Sequence, residues 1–286
     1  MKQKSKFKKQ LPNIILALVF VIGFGIFLYP SASDFINSHL QSKEINRYKH
    51  LLADLSTEEY EKMIAEAVEY NNSLVGHNLA QNTEKVKDTN YNSLLSLDKK
   101  GIMGYLTIDK IDVKLPIYHG VDTSILQVGI GHVPGTSLPV ESETSHCIVS
   151  GHTGLPSAKL LTDLVELEVG DTFRINVLNQ RYTYEIDQIL VVEPNETESL
   201  ELVPGKQYAT IITCTPYGVN THRLLVRGEL KSNIIDSDVS GDAVVVDSNI
   251  ITIIISVILI IILFIVMITL RRRREKQEKT IEKIEK

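Results

Sequence analysis

YATIITCTPYGVNTHRLLVRG, residues 208–228, is the stretch on which the fold reading turns. Its first seven residues are rich in β-branched and aromatic side chains and end on Cys214, as a strand ending on a cysteine would. Pro216, Gly218 and Asn220 follow with turn chemistry. A second strand-like run then opens at His222 and Arg223. The stretch reads as a hairpin-like pair with Cys214 at one rim and Arg223 at the other. A guanidinium there can stabilise a thiolate and bind a developing oxyanion. A cysteine packed at a strand end beside a surface arginine fits the same residue types equally well, because Cys often serves as a small buried hydrophobe.

A second stretch, IVSGHTG at 148–154, reads as a strand ending in a glycine-flanked histidine, His152. Glycines on both sides let the backbone turn sharply and leave the imidazole accessible. Histidine is the natural proton shuttle for a thiol nucleophile and its leaving group. Other histidines, including His132 and His146, compete for that role. A metal set of His146, Cys147 and His152 lacks any CxxC or HxxxH spacing, so no metal is expected. Cys147 precedes a strand and reads as core.

Outward from these stretches, short runs of β-branched and apolar residues lie at 105–108, 113–117, 146–150, 172–178, 182–192, 209–213 and 223–230, bounded by Gly, Pro, Asn or Asp. That spacing points to an all-β barrel or sandwich of about eight strands over residues 101–230. Residues 31–70 read as a helical spacer. Ser56 and Glu59 make a capping box, and Tyr60, Met63, Ile64, Ala67 and Val68 follow at helical spacing. Residues 71–100 are polar and lack proline, and read as a linker or lid-like segment. Residues 231–249 read as a juxtamembrane linker.

Two apolar runs flank the chain. IILALVFVIGFGIFLY at 14–29 follows Lys2, Lys4, Lys6, Lys8 and Lys9, and the run 250–270 precedes Arg271 to Arg274. A spanning helix needs roughly 20 apolar residues. The second run has that length, and the first has it when counted over 11–30. A basic stretch before an apolar one also describes a signal peptide, but no small-x-small site directly follows the apolar run, and a retained anchor is expected. The basic segments 1–10 and 271–286 stay in the cytoplasm by the positive-inside rule, leaving the middle outside. The ends carry +5 and +4, so a net charge of −5 leaves −14 for the middle. An acidic exported portion disfavours nucleic acid as a partner. The two cysteines are too few for a disulfide scaffold, although one Cys147–Cys214 bridge is conceivable. Without it Cys214 is a free thiol outside the cell, which is a liability unless it has a task.

Taken together, these stretches resemble the sortase family. TIITC at 210–214 resembles the family's Thr-Leu-x-Thr-Cys strand with Ile for Leu, SGH at 150–152 the segment bearing its histidine, and Arg223 its arginine nine residues after the cysteine. GIMGY at 101–105, KLPIYHG at 114–120, GTSLP at 135–139 and the stretch 214–228 look like the pilin-polymerising class C branch. The resemblance implies a mainly β fold, an eight-stranded barrel with N-terminal helices and flanking transmembrane helices. It implies that Cys214 attacks a Leu-Pro-x-Thr-Gly-type sorting signal to form a thioester, that His152 acts as general acid and base, and that Arg223 holds substrate and oxyanion. The partners implied are the sorting signals of pilins or surface proteins and an acceptor lysine of a pilin. The setting implied is the membrane of a Gram-positive-type bacterium, and no cofactor is implied.

Class C sortases usually carry an Asp-Pro-aromatic lid before the barrel. Residues 71–100 contain no proline, so a mobile or differently anchored lid is expected, with Cys214 more accessible. Two other readings share some of these features. A housekeeping sortase attaching proteins to cell-wall peptide would share the chemistry but not the acceptor. A non-catalytic tethered surface protein would need a Leu-Pro-x-Thr-Gly-like site before its last helix, and 231–249 contains none.

Overall fold

The computed structural model describes residues 3–98 and 100–235. The chain divides into two units, the first holding residues up to Phe35 and the second Ile36–Gly241. Helix α1, Gln3–Ala53, contributes to both. In the first unit it carries the apolar run. Among the described residues it alone contains a segment, Val19–Ala53, long and apolar enough to cross a membrane. The second expected span, 250–270, lies outside the described residues.

The second unit is built on eight strands: β1 Ile102–Ile108, β2 Val113–His119, β3 Ile130–His132, β4 Ser145–Ser150, β5 Thr172–Val177, β6 Gln180–Val192, β7 Gln207–Thr215 and β8 His222–Ile235. They close into a barrel in the order β1-β2-β3-β4-β7-β8-β6-β5. Most neighbours are antiparallel, but β2–β3 and β4–β7 are parallel. Cys147, Val149, Ala209, Ile211, Leu224 and Val226 belong to the interior cluster. Side chains alternate along a strand, so His146, Thr210, Ile212, Cys214, Arg223 and Arg227 lie on the outer face.

The strand pattern anticipated every strand but β3. Three residues centred on a glycine give no alternation to detect. Gly131 is needed there because a Cβ would meet the Gly120 carbonyl oxygen at 2.0 Å. Strand β8 continues through Ile235, pairing with Gln180, so the first residues expected to be linker belong to the sheet.

The N-terminal helices of this unit pack against the barrel. The Tyr48 hydroxyl donates to the Met103 carbonyl at 2.9 Å and accepts from the Leu178 amide at 2.7 Å. Helix α2, Thr57–Leu74, starts at the capping box read from the sequence, with Ser56 accepting from the Glu59 amide and Glu59 reaching back.

Of the two alternatives expected for 71–100, mobile or differently anchored, the structure favours anchoring. Helix α2 runs on to Leu74, helix α3 spans Leu79–Lys85, and two short 3-10 turns follow. Tyr91, Leu94 and Leu95 are buried. Asn71 pairs with the Leu138 backbone as a strand neighbour would, donating to its carbonyl at 3.0 Å and accepting from its amide at 2.7 Å. The Tyr91 hydroxyl lies 2.8 Å from His132 Nδ1 and accepts from the Gly120 amide at 3.3 Å. The segment is fixed to the barrel beside β3.

Candidate active site

Cys214 and Arg223 are direct cross-strand partners on β7 and β8. Facing residues of an antiparallel pair project to the same side, with Cα atoms about 5 Å apart. The loop between them turns through a cis Thr215–Pro216 peptide, Gly218 and Asn220, the last two at positive φ. The Arg223 guanidinium is held in the loop's mouth, its Nη1 donating to the carbonyls of His222 at 3.0 Å and Asn220 at 3.3 Å. Cys214 and Arg223 are both half-buried, so a reagent can reach them.

His152 reaches the same rim through the parallel pairing of β4 with β7. The last register pair is Ser150 with Ile212. His152 and Cys214 each lie two residues beyond it. The Gly151 amide donates to the Ile212 carbonyl at 3.0 Å, and the Thr213 hydroxyl donates to the Gly151 carbonyl at 2.9 Å. These bonds fix the approach to His152 from the strand that carries Cys214. Beyond it, Gly154 sits at φ +72° beneath the ring of Tyr217, so the loop after His152 and the loop after Cys214 touch.

The rim is therefore a row of three positions on adjacent strands, with a fourth in the loop just past β4. Val192 pairs with Arg223, Arg223 with Cys214, and His152 stands beyond Cys214. A half-buried thiol, an imidazole and a held guanidinium are brought to one end of the barrel. That arrangement suits nucleophilic attack on a carbonyl, with a proton shuttle on one side and oxyanion support on the other.

Cys147 takes no part in this row. It is 2% exposed and faces the interior, and burial pushes its thiol well above the usual range. It pairs with Ala209, five positions from Cys214 on the neighbouring strand, roughly 16 Å along the sheet. That is beyond disulfide reach, and both cysteines are free. His132 and His146 are also buried away from the rim, with their imidazoles pushed down to about 4 by desolvation. Among the described residues, no three His, Cys, Asp or Glu side chains form a metal-binding group.

A closed eight-stranded barrel with a strand-end cysteine facing arginine, and a histidine just past the end of the adjoining parallel strand, has the architecture of a sortase. Residues 106–231 match the Sortase domain family. Sortase C1 of Streptococcus agalactiae is similar at 45% identity with a TM-score of 0.63, covering 66% of this chain and 98% of that one. Sortase C of Streptococcus pneumoniae, whose structure is described in terms of catalysis and pilin substrate specificity, is 36% identical with a TM-score of 0.60, covering 66% and 97%. Sortase D of Bacillus subtilis is 32% identical over 114 residues, 40% of this chain and 54% of that protein. The chain thus spans little more than half the length of that relative, and 61% of Sortase A of Streptococcus agalactiae. The chain belongs to the sortase family. The solved structures it resembles are class C sortases.

Proposed function

We propose that this protein is a membrane-anchored cysteine transpeptidase that joins pilin subunits. The observation that carries the reading is the rim itself, where Cys214 faces Arg223 and His152 follows directly on the adjoining parallel strand. The Cys214 thiolate attacks the Thr–Gly carbonyl of a Leu-Pro-x-Thr-Gly-type signal. Arg223 supports the oxyanion of the tetrahedral intermediate. The C–N bond breaks, and His152 gives its proton to the departing glycine amine. The acyl group stays on Cys214 as a thioester. A lysine amine of the next pilin then attacks, His152 takes its proton, and Cys214 leaves as an isopeptide bond forms. No cofactor or metal enters this scheme.

The pilin acceptor is supported by likeness to class C structures, one of them described through its pilin specificity. The location supported is the outer face of a Gram-positive-type cell membrane, with the apolar part of α1 as anchor, the run 250–270 as a second span and both termini cytoplasmic. Mass spectrometry after incubation with sorting peptides tests the reaction. An acyl adduct on Cys214, absent in Cys214→Ala, is expected. Adding a pilin with its acceptor lysine should resolve the adduct into an isopeptide product. Resolution by cell-wall peptide amines alone would instead assign the protein to surface-protein attachment.

A further inference from the structure

Strands β6 and β7 both pair antiparallel with β8, so they run parallel to each other. The connection between them, residues 193–206, must return along the whole length of β7, about 25 Å. It leaves the rim beside Arg223, since Val192 is Arg223's partner, and it ends beside Ser145, the partner of Gln207. On the way it meets the outer face of β4. There His146 Nδ1 lies 3.1 Å from the Glu201 carbonyl, and His146 Nε2 lies 2.7 Å from the Thr210 hydroxyl. The carbonyl can only accept, so Nδ1 carries the proton and Thr210 donates to Nε2.

The imidazole is backed on its other side. The Tyr208 ring meets it edge-on at 5.7 Å between centroids, and the Arg227 guanidinium lies 4.3 Å over Tyr208. Arg227 is itself held by Asp187 of β6 through bonds of 3.1 and 2.7 Å. Four strands are thus laced together beneath one point of the connection. The Glu201 carboxylate meanwhile reaches outward and accepts from the Leu79 amide at the start of α3, at 3.1 Å from Oε2.

We propose that His146 is a positioning residue that, through Glu201, sets the wall of the groove receiving the sorting signal. The segment 71–100 contributes by bracing that wall through Leu79 rather than by covering Cys214. The proposal rests on the transpeptidase reading above. An extended signal of four residues reaches back about 13 Å from its scissile carbonyl, along the face that the connection borders. A wall free to shift would weaken binding of the signal while leaving the Cys214 rim intact.

The test compares His146→Gln, which keeps an amide near Thr210 but withdraws the donor from Glu201, with His146→Asn, whose amide sits where Nδ1 was. Hydrogen exchange of residues 193–206 should rise in His146→Gln and stay near wild type in His146→Asn. With a Leu-Pro-x-Thr-Gly peptide, His146→Gln should raise KM about tenfold with kcat within about twofold, the pattern of lost ground-state binding. Alkylation of Cys214 by a small thiol reagent should not change. Unchanged exchange in His146→Gln, or a fall in kcat with KM unaltered, would overturn the proposal. If wild-type protein forms no adduct with any sorting peptide, the transpeptidase reading fails instead, and the exchange comparison still decides whether His146 holds the wall.

Discussion

The ring of Tyr217 rests on Gly154, so close that a Cβ at Gly154 would lie 2.9 Å from it. This contact joins the loop after Cys214 to the loop after His152. Gly154 also sits at φ +72°, where an L side chain is strained. Gly154→Ala should lower stability by about 1–2 kcal/mol and reduce kcat/KM about tenfold as the two loops part. Adding Tyr217→Ala to Gly154→Ala should not restore activity if the contact itself sets the spacing of the loops. Steady-state kinetics and a urea titration of the three variants read the outcome.

The two thiols should differ sharply in reactivity. Cys214 is half-buried at the rim, whereas Cys147 is interior with its thiol pushed up by burial. Mass spectrometry after brief alkylation at pH 8 should show one label, on Cys214, with Cys147 modified only in denaturant. Cys147→Ala should retain acyl transfer at a modest loss of stability, about 1 kcal/mol. Loss of activity in Cys147→Ala as complete as in Cys214→Ala would mean the nucleophile is not confined to Cys214.

His132 and His146, with His119 lowered by burial in the same direction, shape the response to acid. Burial lowers both to about 4, so the folded chain resists protons that the unfolded chain accepts near pH 6.5. Stability is therefore full above about pH 6.5 and falls as pH drops from there towards 4. Each residue contributes up to about 1.4 kcal/mol per pH unit in that window. Urea midpoints at pH 7.5, 6 and 5 should fall in that order, and His146→Asn should flatten part of the decline. A midpoint that is constant between pH 7.5 and 5 would contradict the burial of both rings.

Residues 71–100 should behave as part of the core. Tyr91 is 3% exposed, and truncating it leaves His132 Nδ1 without its partner, while the Gly120 amide keeps only the His132 carbonyl at 3.1 Å. Tyr91→Ala should cost about 3–5 kcal/mol. In the folded variant the alkylation rate of Cys214 should match wild type. A many-fold faster rate would show that this segment covers the cysteine after all.

What could be read from the sequence was local. Cys214 and Arg223 stand nine residues apart around a turn, so their pairing follows from strand and turn chemistry alone. His152 was legible only as a glycine-flanked histidine. Its place beside Cys214 depends on parallel pairing of residues 62 apart in sequence, such as Ser150 with Ile212, and short-range pattern does not carry that. The packing of 71–100 was hidden for a related reason. Tyr91, Leu94 and Leu95 follow no strand or helix period and are outnumbered by polar neighbours, so a fixed segment looks like a linker. The role of His146 was similarly out of sight, because its partner Glu201 lies 55 residues away in a connection without regular structure.

The closure of the barrel bears on how a substrate is recognised. Extended peptides often bind by adding themselves as one more strand to an open sheet edge, where main-chain hydrogen bonds supply affinity with little regard to sequence. A sheet whose eight strands close on themselves has no such edge to offer. An incoming signal must be gripped by side chains and by the connections that border the outer face. Selectivity is thereby concentrated in segments that can change between relatives while the closed sheet, and the chemistry mounted on its rim, stays the same.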